Sequence, residues 1–122
     1  MKTALLIGLG SFIGGTSRYL IWKLMATNFT SIFPFGTFTV NIVGCFLIGT
    51  VLGYSSKHYL DANWQLFLAT GILGGFTTFS AFSLESINML RDGYTSAALL
   101  YITLSIVIGL IATMVGYSLI RL

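Results

Sequence analysis

GILGGFTTFSAFSLES, residues 71–86, lies inside an apolar segment long enough to cross a membrane, but it is a poor candidate for one continuous helix. Gly74 and Gly75 are followed by Thr77 and Thr78, and a glycine in a helix interior is about 1 kcal/mol less favourable than alanine. A broken helix exposes backbone amides and carbonyls, which a membrane tolerates only where protein or water covers them. Because broken membrane helices are typical of ion sites, the stretch predicts an interrupted helix that handles an ion.

The composition of the whole chain is that of a membrane protein. Of its 122 residues, 56% are hydrophobic and 7% are charged, and the mean hydropathy is +0.93. A soluble domain carries about 25% charged residues. Because so little charge is left to face water, lipid is the expected solvent for most of the chain.

The charged and reactive residues exclude several classes of function. Six lysines and arginines are scattered along the chain and give a net charge of +3, without the clustered basic stripe of a nucleic-acid-binding protein. The single cysteine, Cys45, and the single histidine, His58, allow neither an internal disulfide nor a zinc cluster. No catalytic triad or phosphate loop is visible. The sequence therefore predicts a protein that is not an enzyme and binds no nucleic acid.

Four apolar stretches have the length of a membrane span. A hydrocarbon core about 30 Å thick needs roughly 20 apolar helical residues, and the stretches that meet this length are about 3–26, 33–54, 64–90 and 96–120. Pro34 stands at the start of the second stretch, where a helix tolerates proline best. The prediction is an all-α integral membrane protein, a single four-helix transmembrane domain over 1–122 with a break in the third helix.

The distribution of basic residues leaves the orientation in the membrane open. Four spans place both termini on one side, together with Lys2, Lys57 and Arg121, whereas Lys23 and Arg91 lie on the other. The positive-inside rule needs a clear asymmetry to fix one orientation, and this one is weak. Two interpretations follow: insertion in both orientations, which permits an antiparallel homodimer, or one orientation with the N-terminus inside.

Three polar residues inside the spans are candidates for function. Arg18 is an intramembrane charge, which is rare and is usually paired or functional; it either snorkels to the interface or anchors the broken third span by donating to its carbonyls. Asn41 either bonds a neighbouring helix or offers its amide to an anion. Glu85 is the only acid within a span, and it is either a partly exposed residue near a helix end or the titratable group of a proton-coupled transporter.

Residues four apart form small or polar faces on three of the spans. In the first span this face carries Gly10 and Gly14, and such faces let membrane helices approach closely. The corresponding residues of the other two spans are Thr37, Asn41, Cys45 and Gly49 in the second and Tyr101, Ser105 and Gly109 in the fourth. Phe79 and Phe82 share a face after the break and either pack or turn their positive ring edges toward an anion.

Three motifs resemble the signatures of the Fluc (CrcB) family of fluoride channels. They are GGTSRY at 14–19, GTFTVNIVG at 36–44 and GGFTTFSAF at 74–82, one in each of the first three spans and in the family's order. The third motif is the specific one, and the resemblance covers the whole chain. It implies a passive fluoride channel that exports the ion across the cell (inner) membrane as a multi-pass protein of the lipid bilayer.

The resemblance also implies an assembly and a set of functional residues. Family members are antiparallel dual-topology homodimers, with a central structural sodium ion at the dimer interface. Carried over to this sequence, the backbone carbonyls of Gly74 and Thr77 would bind that sodium, and Arg18 would brace the first helix against the break. The fluoride pore would be lined by Asn41, Phe79, Phe82, Ser80, Thr78, Tyr101 and Ser105.

Two other functions are compatible with the residues. One is a small proton-coupled multidrug transporter that uses Glu85, although the first span, where that family carries its essential glutamate, has no acid. The other is a helix bundle that transports nothing and scaffolds a partner, although the short loops leave little surface for a soluble one.

Overall fold

The computed structural model describes residues 1–122, and all of its regular structure is helical. The elements in chain order are α1 (Lys2–Asn28), α2 (Phe35–Ser56), α3 (Ala62–Gln65), a π-helical segment (Leu66–Leu73), α4 (Gly74–Phe76), α5 (Phe79–Arg91) and α6 (Thr95–Arg121). The elements from α3 to α5 follow one another as a third span, Ala62–Arg91, so the chain has four helices long and apolar enough to cross a membrane. The prediction of an all-α protein with four spans is confirmed.

The third span breaks at Thr77 and Thr78. Both residues have extended backbone, with φ/ψ of −86°/157° and −149°/116°. The Thr78 side chain caps the next helix by accepting a hydrogen bond from the Ala81 N–H at 3.1 Å, which satisfies one of the free amides at a helix start. Gly74 and Gly75, which the sequence suggested as part of the interruption, are helical.

Gly71 and Gly75 of the third span pack closely against α1. A Cβ on Gly75 would lie 2.6 Å from the carbonyl oxygen of Ser11, and a Cβ on Gly14 would overlap the carbonyl oxygen of Ile72. The Ser11 hydroxyl also donates to the Gly71 carbonyl at 3.4 Å. The small residues therefore bring two backbones together, as in other membrane helix pairs.

Helices α2 and α6 form a second close pair. A Cβ on Gly49 would overlap the carbonyl oxygen of Thr113, and a Cβ on Gly116 would overlap that of Phe46. Gly93, with φ of 87°, makes the turn from α5 into α6. The Tyr94 N–H returns to the Met89 carbonyl at 2.8 Å, which is the hydrogen bond of a glycine-terminated helix.

The outside of the bundle is apolar. Only 17 of the 122 residues are buried, and many leucine, isoleucine and phenylalanine side chains are exposed along all four spans. A soluble monomer rarely exposes apolar surface on this scale. Lipid and other membrane helices are the surroundings that this surface fits.

Candidate ion site at the helix break

A cavity of about 410 Å³ opens beside the break in the third span. Its wall includes residues from α2, from the π-helical segment, from both sides of the break and from α6, and none of them is charged. Seven of the predicted site residues lie on this wall: Asn41, Gly74, Thr77, Thr78, Phe79, Phe82 and Ser105. The fold thus brings most of the predicted residues to one place.

Asn41 holds the broken backbone with both ends of its side-chain amide. Its Oδ1 accepts a hydrogen bond from the Thr78 N–H at 2.8 Å, and its Nδ2 donates to the Thr78 carbonyl at 3.0 Å. Nδ2 has two hydrogens, and this contact uses one. Because Asn41 also lies on the cavity wall, the two interpretations of this residue are compatible: it bonds another span and keeps one donor for the cavity.

The two phenylalanines after the break lie side by side. The ring centroids of Phe79 and Phe82 are 5.6 Å apart, and the ring planes are tilted by 43°. Phe79 is 79% exposed in the single chain, whereas Phe82 is half-buried. Ser105 of α6 also lines the cavity, and its hydroxyl is buried without a hydrogen-bond partner. This hydroxyl therefore has an unused donor and an unused acceptor beside the cavity.

Ser80 and Tyr101 do not lie on the cavity wall. Ser80 is exposed in the first turn of α5, and its hydroxyl is 3.1 Å from that of Thr78. Tyr101 is fully buried behind the wall, with its ring centroid 5.2 Å from that of Phe82. In this arrangement Tyr101 supports the lining residue Phe82.

Glu85 occupies a separate polar site beside Tyr101. One carboxylate oxygen accepts from the Thr37 hydroxyl at 2.6 Å, and the other accepts from the Tyr101 hydroxyl at 2.8 Å. Glu85 also lines a second cavity of about 250 Å³, together with Ile32, Pro34, Asn88, Met89, Asp92 and Tyr94. The charge is therefore bound by neutral donors and is kept off the wall of the first cavity.

The carbonyl groups at the break suit a hard cation such as sodium, which prefers oxygen ligands. In an unbroken helix the Gly74 carbonyl would accept from the Thr78 N–H, but that N–H donates to Asn41 instead. Gly74 and Thr77 both line the cavity. Unwound membrane helices use such freed carbonyls for sodium, so the two residues fit the predicted ligand role.

Arg18 is half-buried on α1, and its guanidinium takes part in none of the side-chain hydrogen bonds within the chain. The bracing of the break by Arg18 stays a prediction. Within one chain, α1 meets the broken span through Gly14 and Ser11 rather than through the arginine.

Two residues near the sites had no functional role in the sequence interpretation. Thr37 is 2% exposed and binds Glu85, and Cys45 lies on the wall of the first cavity. Both belong to the face that carries Asn41 at four-residue spacing. That spacing is the signal that could have assigned Thr37 and Cys45 to the two sites.

Comparison with known proteins identifies the family of the chain. The family described as CrcB-like protein, Camphor Resistance (CrcB), matches residues 5–117. A protein of Azobacteroides pseudotrichonymphae genomovar. CFP2, named Fluoride-specific ion channel FluC, is 42% identical over 98% of this chain and 96% of its own length. Proteins of the same name from Clostridium perfringens and Methylobacillus flagellatus are 43% and 40% identical, over 98% and 100% of this chain and 94% and 97% of their own lengths. Since the similarity extends through all four spans, the chain belongs to the CrcB family.

Proposed function

We propose that this protein is a fluoride-selective channel, not an enzyme, that exports cytoplasmic fluoride passively and protects the cell from its toxicity. The observation that carries the proposal is the similarity, at 40–43% identity over nearly the whole chain, to proteins named fluoride-specific ion channels. The cavity at the break supports it, because its wall offers hydrogen-bond donors and ring edges without a fixed charge.

The chemistry of the wall suits a small, strongly hydrated anion. Conduction requires binding that is favourable enough for the ion to enter and weak enough for it to leave. Asn41 and Ser105 offer neutral donors in place of water, and the edges of Phe79 and Phe82 carry partial positive charge. A lysine or arginine on this wall would hold the anion too strongly, and none lies there.

We further propose an antiparallel, dual-topology homodimer in the cell (inner) membrane, with a structural sodium ion at its centre. One chain offers two free carbonyls at the break, from Gly74 and Thr77, which are fewer oxygens than hard cations gather. A second copy would complete the set with the same pair. Sodium bound there would have a structural role and would not be transported.

The proton-coupled transporter is not favoured. Such a carrier needs a carboxylate that meets its substrate, whereas Glu85 lies off the wall of the larger cavity and both of its oxygens accept hydrogen bonds. The transporter also predicts flux that depends on a proton gradient, which the channel does not.

The test is fluoride efflux from liposomes that contain the purified protein. Vesicles loaded with potassium fluoride are diluted into fluoride-free buffer, valinomycin is added to balance the charge, and a fluoride electrode follows release. We expect fast fluoride release and little chloride release from matched chloride vesicles. A folded protein that releases no more fluoride than protein-free vesicles would contradict the channel.

Dual topology has its own test, based on the weak charge bias. Asn63→Arg adds a positive charge to the side of Lys57, and Thr30→Arg adds one to the side of Lys23. Each variant, with further charges if one is too few, should favour a single orientation and lose fluoride resistance in cells. Co-expression of the two should restore resistance, whereas full resistance of a variant with one orientation would contradict the antiparallel dimer.

A further inference from the structure

A continuous path of aromatic contacts joins the α1–α2 loop to the cavity. Phe33, in the loop, lies with its ring centroid 5.4 Å from that of Tyr101 at an interplanar angle of 81°. The Tyr101 ring contacts Phe82 at 5.2 Å, and Phe82 contacts Phe79 at 5.6 Å. The path begins at Phe33, a residue to which the proposed function assigns no role.

The loop holds Phe33 in place through its backbone. The Phe33 N–H donates to the Ser31 hydroxyl at 3.2 Å, and the Phe33 carbonyl accepts from the Phe35 N–H at 2.9 Å. Pro34 follows directly, and the residue before a proline is restricted to extended backbone. The ring is therefore presented to Tyr101 by a constrained loop.

Tyr101 has little freedom of its own. It is 0% exposed, its hydroxyl donates to Glu85, and its ring contacts the rings of both Phe33 and Phe82. If the edge-to-face contact with Phe33 is lost, space opens on one side of the ring. Tyr101 can then tilt away from Phe82, and Phe82 loses its support on the side away from the cavity.

We propose that Phe33 is a positioning residue for the anion path: acting through Tyr101, it fixes the ring of Phe82 at the wall of the cavity. The inference rests on the proposed function, because Phe82 matters only if an anion passes it. Phe33 itself is outside the cavity wall and outside every helix.

The same loop provides a matched control. Phe35 packs against Phe33 at 4.8 Å and against Phe29 at 5.7 Å, but it makes no ring contact with Tyr101 or Phe82 and is 40% exposed. Phe33→Leu and Phe35→Leu make the same chemical change two residues apart. Only the first removes a ring from the path to the cavity.

The experiment compares fluoride and chloride efflux of the wild type, Phe33→Leu, Phe35→Leu and Phe33→Tyr in liposomes, with the melting temperature of each in detergent. For Phe33→Leu we expect about a threefold to tenfold loss of fluoride efflux, the size of one aromatic contact, and a lower fluoride-to-chloride ratio. Phe35→Leu should stay within about twofold of the wild type. Phe33→Tyr keeps an aromatic ring at this position and should have the rate and the ion ratio of the wild type.

Each other outcome overturns the inference in a recognisable way. Equal rates for the two leucine variants would mean that the contact between Phe33 and Tyr101 does not position Phe82. A rate that falls only with the melting temperature, with an unchanged ion ratio and no recovery in Phe33→Tyr, would reduce Phe33 to a packing residue. Absence of fluoride efflux from the wild type would instead remove the proposed function itself.

Discussion

Helix α5 carries two polar sites that are built on opposite plans. At its N-terminus, the helix break is bonded by the neutral amide of Asn41 and faces an open cavity. Farther along, Glu85 is a charge whose two oxygens are closed off by hydroxyl groups. The difference teaches that a charge can lie in this membrane protein one side chain away from the cavity, provided that the cavity wall itself stays neutral.

The two sites are also held by different interactions. The break is supported from behind by backbone contact with α1, where Gly14 meets Ile72. The Glu85 site is held by side chains alone, from Thr37 on α2 and Tyr101 on α6. We therefore expect the break to be sensitive to single changes and the Glu85 site to tolerate a neutral substitute.

The largest effect on flux is expected for Asn41→Asp. The variant retains an acceptor for the Thr78 N–H but turns a second oxygen toward the Thr78 carbonyl, and it places a negative charge on the anion path. Aspartate also has no N–H to donate to the anion. Loss of one hydrogen bond to a charged partner, here the anion, corresponds to about a tenfold to hundredfold drop in rate. Fluoride efflux from liposomes measures it, and a rate within twofold of the wild type would refute the role of Asn41 in conduction.

A change behind the break tests its backbone support. A Cβ on Gly14 would overlap the Ile72 carbonyl, whereas a Cβ on Gly8, on the same helix, meets nothing within 4 Å. Gly14→Ala should lower the stability by about 1–3 kcal/mol through overpacking, and Gly8→Ala should be neutral or stabilising by up to about 1 kcal/mol. Thermal unfolding in detergent compares the two, and equal melting temperatures would contradict the close approach of α1.

Removal of the two rings tests the anion path on the wall. Phe79→Ile with Phe82→Ile keeps apolar bulk but removes the positive ring edges. We expect about a tenfold loss of fluoride efflux, since two aromatic contacts with the ion are lost. Phe76→Ile is the matched control, because Phe76 is buried before the break and does not line the cavity. Unchanged efflux in the double variant would exclude the ring-edge account.

The sequence predicted the helices and the location of the site better than it predicted the hydrogen bonds between the spans. Hydrophobic length is a local property, so the four spans could be predicted, and the GGFTTFSAF motif located the break. The partners of Glu85 could not be predicted, because Thr37 and Tyr101 lie 48 and 16 residues away in sequence. Of the four residues that predicted the interruption, only Thr77 and Thr78 leave the helix, whereas Gly74 and Gly75 are helical and Gly75 packs closely against α1.

The smallest effect is expected for Glu85→Gln. The glutamine side chain keeps the shape and one oxygen acceptor, and its NH2 group can donate to a hydroxyl, because Thr37 and Tyr101 can each accept as well as donate. We expect fluoride efflux within about threefold of the wild type and a change in stability below about 1 kcal/mol, the scale of one net hydrogen bond.

Glu85→Ala separates the carboxylate's charge from its hydrogen bonds. It leaves the hydroxyls of Thr37 and Tyr101, which are 2% and 0% exposed, without their acceptor. Each unsatisfied group is unfavourable by about 1–3 kcal/mol, so alanine should lower the melting temperature well below that of the glutamine variant. If glutamine abolishes transport as completely as alanine, the charge itself is needed, and the proton-coupled transporter becomes the better account of the molecule.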